Sequence, residues 1–441
     1  MNQRRAIPRL AVPVGLTALL LCARLGSAPA LSDPLSGVAP PSLHLSIPWL
    51  YLVLAPLFTL WDGVSMLSMT RLVGFLTGLA VLYLSWRIVR ALLLRHRRMP
   101  GSPALAAVLK EMLVLVVSLA LLAAFVIVGA RWHRPMLSLA GAGPSQMVVD
   151  FHSHTNVSHD VRNTVMRGFD GEASRRWHTR AGFDAAFITD HNTVEGLAAT
   201  RENPGTRHQG PGTSNQGKQT RMCPGIELSV WRAHIVLLGD SGPIDRSPYN
   251  RSFDGLLSLL ATSDSAYGAL SVASLPEYRR NHWGRLDRLA AAGLDGFEIV
   301  NASPKANELT RAEVDSVIAL ARARDKFVVG VSDSHGWGAT SMVWNLVRSA
   351  GAPAADLCSA VLRQLRTGFP AVQIIERHRL RPDDWWPMWL TPVGVVWETW
   401  RSMGWALTGA WLVWIWAWTA LLAAFGYARQ DRLGTSSPLI K

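Results

Sequence analysis

Charge is scarce in this chain. Asp, Glu, Lys and Arg make up 17% of its 441 residues, against 49% apolar types. That balance excludes a disordered polyelectrolyte and implies membrane segments joined to a globular part. Cysteine is scarcer still. Cys22, Cys223 and Cys358 lie far apart with no close pair, which excludes a thiolate zinc site of the C-x-x-C kind. All three read as ordinary thiols. Cys22 follows Leu19-Leu20-Leu21 and lacks the small residue expected before a lipidated cysteine. Acidic groups are missing mainly from one end: of the net charge of +13, residues 1–148 carry +10, residues 149–375 carry +1 and the remainder +2. The basic excess therefore belongs to the hydrophobic N-terminal part and reads as membrane topology. The near-neutral middle disfavours a nucleic-acid partner on charge.

Long apolar runs are present. Residues 112–130 carry no charge and are long enough to span a bilayer, as are residues 403–428. Residues 64–86 are apolar except for Arg71, and residues 7–21 follow Arg4 and Arg5 as a signal peptide or first anchor. Residues 49–60 are short, a re-entrant piece or half of a hairpin turning at Asp62-Gly63. Three to four N-terminal spans and one C-terminal span are expected. Arg87, Arg90, Arg95, Arg97, Arg98 and Lys110 form the strongest basic cluster, which places that loop in the cytoplasm and the middle of the chain outside it. An integral protein of a bacterial inner membrane with an extracytoplasmic domain follows. Ten tryptophans between Trp385 and Trp418 read as an interfacial belt before the last span. The chain thus divides into a membrane region (1–147), a middle domain (148–375) and a Trp-rich segment with a final helix (376–441).

In the middle domain, MVVDF, DAAFIT, HIVLLG, ALSVAS, GFEIV and FVVGVS are β-rich runs. Helical stretches at 171–181, 253–262, 285–293 and 309–324 lie between them. This alternation predicts parallel strands with crossover helices, an α/β barrel or open α/β sheet. Residues 201–222 are polar and Gly-rich, a loop.

Imidazole and carboxylate groups cluster just after these strands. VVDFHSHTNVSHD holds His152, His154, His159 and Asp160; DAAFIT precedes Asp190 and His191; Glu227 follows Pro224-Gly225-Ile226, with His234 opening the next strand; FVVGVS precedes Asp333 and His335. In a parallel α/β fold such groups converge on one face. Ligands without thiolate suit Zn, Mn or Fe. Two apart on an extended strand, His152 and His154 point the same way, and a carboxylate such as Glu227 can bridge two ions. Two or three ions clamp a phosphoryl group and supply a nucleophile near neutral pH. Asp190 is placed to orient an imidazole or carry a proton, so Asp190, His191, Glu227 and Asp333 are the catalytic candidates.

DFHSHTNVSHD, ITDHNTVEG, PGIELS, FEIVNA and GVSDSHG, in that order over about residues 148–340, resemble the polymerase and histidinol phosphatase (PHP) family. The resemblance implies a distorted seven-stranded α/β barrel, two or three divalent metal ions (Mn, Zn or Fe) and phosphoesterase activity on a phosphorylated small molecule. It implies His152, His154, His191, Glu227, Asp333 and His335 as ligands, with Asp160 or His159 completing the first motif and His234 a further candidate. One position departs: where many members carry Ala-His-Pro, this chain has Ser274-Leu275-Pro276. Either His282 substitutes, or one ion is weak or absent. Arg279, Arg280, His282, Arg285, Asn301 and Lys305 are candidates for substrate contact, and Glu298 for support behind the ligands. Rival readings are an amidohydrolase, which the lack of a lysine at an expected strand end disfavours, and a metal-binding sensor or scaffold without catalysis.

Overall fold

The computed structural model describes residues 7–94, 104–197, 219–348 and 357–434. Arg95, Arg97 and Arg98 and residues 201–218 of the expected loop lie outside them. Among the described residues ten strands form one curled, mixed sheet, a half-barrel with helices on its outside. Its order is β1 (Leu31–Ser32), β12 (Gln373–Arg377), β11 (Val343–Arg348), β4 (Gln146–Asp150), β5 (Ala185–Ile188), β6 (Arg221–Val230), β7 (Ala233–Leu238), β8 (Leu270–Ala273), β9 (Gly296–Asn301) and β10 (Phe327–Val331). A separate pair joins β2 (His44–Ser46) to β3 (Ser138–Ala140).

The sheet departs from the all-parallel expectation. β7 runs antiparallel to β6 and β8 because Trp231 and Arg232, both at positive φ (31° and 62°), turn the chain in a two-residue hairpin. β11 runs antiparallel to β4 and β12. The strand count is ten where seven were expected: β4 to β10 run in chain order, and β11, β12 and β1 extend the sheet beyond β4. At their carboxyl ends the outer members of the run meet. Ser153 and Ser334 form a parallel bridge, Asp333 N donates to His152 O (2.9 Å) and His154 N to Ser334 O (3.0 Å). Asn345 on β11 seals the edge of β10: its Oδ1 accepts Gly330 N (2.9 Å) and its Nδ2 donates to Gly330 O (2.6 Å). Buried residues on both faces explain why these strands read as continuous apolar runs.

The crossover helices have local causes. Asp170 caps Gly171–Ala181 and Gly182, at φ 90°, ends it. Thr310 and Glu313 form a reciprocal capping box on Arg311–Ala323. Ser252 caps Phe253–Tyr267, which runs a turn further than the apolar pattern implied.

The N-terminal helical region comprises α1 (Ile7–Leu25), α2 (Trp49–Val53), α3 (Ala55–Ser65), α4 (Met69–Leu94) and α5 (Ala104–Arg131), joined from the other end of the chain by helices Thr391–Ser402 and Trp405–Gly434. Among the described residues three stretches are long and apolar enough to cross a bilayer: Met69–Arg90, Leu109–Arg131 and Trp405–Phe425. The apolar part of α1, Leu10–Leu25, is shorter. Asp62-Gly63 is not a hairpin turn; both residues lie inside α3, and the chain breaks after Met66 instead. Asp62 is buried in an ionic hub, 2.9 Å from Arg377 and 3.3 Å from Arg134, with Tyr51 Oη donating to it at 2.8 Å. Arg71, the one charge in its apolar run, donates to the carbonyls of Arg381, Pro382, Asp384 and Trp386. One expectation fails at the cysteines: Cys223 on β6 and Cys358 are joined by a disulfide, Cα atoms 5.7 Å apart, and only Cys22 is free.

Candidate metal centre

Four sequence-distant segments, residues 152–160, His191, residues 227–234 and residues 333–335, deliver ligand-type groups to one spot, after β4, β5 and β10 and along the β6–β7 hairpin. Three overlapping groups have donor atoms close enough to share an ion: His154, Asp160, His191 and His335; His152, His154 and Asp333; His191, Glu227 and His234. Glu227 joins them. Its Oε1 lies 3.0 Å from His234 Nδ1, and its Oε2 lies 3.0 Å from His191 Nδ1, 3.3 Å from His152 Nε2 and 3.4 Å from His154 Nε2. Asp160 Oδ2 stands between His335 Nε2 (2.7 Å) and His191 Nε2 (3.0 Å), and Asp333 Oδ1 lies 3.1 Å from His154 Nε2. Asp333 holds φ 44° and Asn192, after His191, φ 57°. Backbone in that region at non-glycine residues is a cost characteristic of functional sites.

The donor set fits divalent ions. His154 Nδ1, His191 Nδ1 and Glu227 Oε2 are buried without a well-aligned hydrogen bond, although the last two lie 3.0 Å apart; leaving such atoms unpaired costs about 1–3 kcal/mol each. His152 Nε2 and His154 Nε2 face one another at 3.0 Å. Spacings of this size arise when donors surround one ion at bonds of about 2.0–2.2 Å.

Burial opposes charge throughout the centre, and neighbours decide the outcome. It is outweighed at His335 by Asp333 and Asp160, and at His234 by Glu227, so both are pushed up to about 9. Asp333, Glu227 and Glu298 likewise raise His152. At His154 burial wins, helped by His335, and the ring falls to about 4. Histidine contacts hold Asp160, Glu227 and Asp333 well below the usual carboxylate range despite burial.

The other sequence candidates fall elsewhere. His159 is exposed, its ring 4.9 Å from that of His191, and Asp160 takes the place in the cluster. Asp190 is fully buried and accepts Thr155 N and Oγ1, both at 2.6 Å, so it shapes the loop carrying His154; burial raises it to about 6. His282 does not replace Leu275, because its ring packs on Trp231 and Phe253. Arg279 pairs with Glu313, Arg285 lies over Phe253, and Asn301 is buried, donating to Glu298. Arg280 and Lys305 are exposed. Leu275 belongs to the apolar cluster that also holds Met66 and Met342, which is why a hydrophobe stands there.

Glu298 is the support anticipated: its Oε1 takes His152 Nδ1 at 2.6 Å and its Oε2 takes Leu275 N at 2.9 Å. Glu277 escaped the sequence reading. Its Oε2 lies 3.6 Å from His234 Nδ1, and burial raises its carboxyl. Its one signal was an acid two residues beyond Leu275. Asp150 was also missed; it accepts from Ser332 N (3.0 Å) and contacts His178 Nε2 (2.9 Å), tying β4 to the end of β10.

No family model and no curated protein matches the chain. Among solved structures, PsfC from Pseudomonas syringae PB-5123 overlays 58% of this chain and 96% of its own at 16% identity and a TM-score of 0.34. A protein provisionally assigned as a metal-dependent phosphoesterase, from Bifidobacterium adolescentis, overlays 43% and 88% at 17% identity and 0.29. An amidohydrolase from Chromobacterium violaceum, with bound sulfate and no metal, overlays 54% and 98% at 15% identity and 0.29. Overlays this loose carry no argument about chemistry.

Proposed function

We propose that the chain is a membrane-anchored, metal-dependent phosphoesterase of PHP type. The observation that carries this is Glu227, one carboxylate serving donors of all three groups. His152, His154, Asp160, His191, Glu227, His234, Asp333 and His335 would hold two or three divalent ions, with Glu277 completing the His234 side. Such ions supply a Lewis acid and a water of lowered pKa. Glu298 fixes the His152 ring, and Asp190 fixes Thr155 and with it the loop that carries His154. The part-exposed groups Asp160, His335 and His234 form the edge at which a phosphate enters. The Cys223–Cys358 disulfide and the basic N-terminal loops both support an extracytoplasmic domain.

The test is hydrolysis of an aryl phosphate monoester and diester by the full chain with Mn²⁺, with Zn²⁺ or with chelator. Turnover should require metal and vanish in the His152→Ala/His154→Ala double variant. Metal-independent turnover, or full activity of that variant, would sink the reading.

A further inference from the structure

The candidate metal centre lies close to the helices that include the candidate membrane spans. Each of three segments that bear or support its groups runs on into a loop that contacts the N-terminal helical region at or beside a candidate span. After Asp160, the Val165 carbonyl accepts from Arg131 Nε (3.3 Å). After Glu298, Pro304 O accepts Met69 N (2.8 Å), and Glu308 Oε1 accepts Thr70 N (2.6 Å). After His335, Gly338 O accepts Trp61 Nε1 (3.3 Å), and Thr340 Oγ1 accepts Arg134 Nη2 (2.8 Å). Met69 begins one candidate span and Arg131 ends another.

Chain length then limits how far the centre can stand from the bilayer. An extended chain covers at most about 3.5 Å per residue, so three residues from His335 to Gly338 reach no more than about 11 Å. Five from Asp160 to Val165 reach no more than about 18 Å. The polar headgroup layer itself extends about 5–7 Å beyond the hydrocarbon core. The corner between α3 and α4 enters the domain directly: Met66 shares the apolar cluster of Leu275 and Met342. The side of the centre left part-exposed, with Asp160 and His335, adjoins the loops that touch Arg131 and Trp61.

From this placement we infer that the substrate is an amphiphile, a phosphoester whose apolar part stays in the bilayer while its phosphate enters from the interface. The inference rests on the phosphoesterase reading. Hydrolysis adds water across one P–O bond, leaving an alcohol and a phosphate.

The full chain in phosphatidylcholine vesicles with Mn²⁺ tests it against matched pairs. Phosphatidic acid and phosphatidylglycerol, a monoester and a diester held in the vesicle, are compared with glycerol phosphate and glycerophosphoglycerol in solution. A member of the first pair should be hydrolysed at least about tenfold faster than its soluble partner, a difference of about 1.4 kcal/mol in barrier. Equal or faster hydrolysis of the soluble esters would overturn the amphiphile inference and leave the phosphoesterase standing. Failure on all four, and on the aryl phosphates, would remove the phosphoesterase reading and this inference with it.

Discussion

At His152 one ring nitrogen meets Glu298 and the other meets the cluster, so the carboxylate sets both tautomer and ring angle. Glu298→Gln should weaken metal binding about 10- to 100-fold with the fold intact, read by metal titration and circular dichroism. Protonation gives a second expectation. His234 and His335, at about 9 without metal, must lose a proton to bind an ion. Below that value binding releases protons, so apparent metal affinity should rise as pH increases from 7 and level off above about 9. Affinity that falls over this range would contradict the assigned ligands. These residue types were legible because metal ligands form a short menu. Leu275 shows the limit: the apolar cluster it joins draws Met66 and Met342 from other elements, and His234, which brings Glu277 into use, comes from another again.

Between elements, contacts turn on residues without striking chemistry of their own. Gly74 and Gly78 lie four apart on α4, where a Cβ would meet Met388 at 2.7 Å and Trp389 O at 2.5 Å. Small residues at this spacing let backbone approach backbone. Gly78→Val should therefore part α4 from the 388–392 segment and lower the thermal midpoint of the protein in detergent or vesicles. The Trp-rich segment is thus more than an anchoring belt, since helix Thr391–Ser402 buries Val395, Glu398 and Trp400. Asp62 joins α3 to the end of β12 through Arg377. Burial raises its pKa, but Arg377 and Arg134 more than offset this and depress it. Its contribution to stability is therefore present above the unfolded carboxylate pKa of about 4 and is lost as pH falls below it. Asp62→Ala should cost about 3–5 kcal/mol, since it strands two buried guanidiniums; an unchanged unfolding midpoint would refute the hub.

For the whole molecule, the disulfide is the feature that bears on location. Cys223 lies in the sheet and Cys358 on the helix Leu357–Leu365, 135 residues apart. In native membranes, denatured without reductant, only Cys22 should take a maleimide; after reduction all three should. Labelling of Cys223 and Cys358 without reductant would place the domain in a reducing compartment. By itself the sequence determined the apolar spans, the alternation of strands and helices and the order of the ligand motifs. Each is written in local composition and period, which neighbours in space do not alter. Only the tertiary structure decided the reversed β7, the strands added beyond β4, the disulfide, the placing of Asp160 rather than His159 in the candidate cluster, and the seating of that cluster beside the apolar helices. These depend on which distant segments meet, and single-chain periodicity carries no record of that.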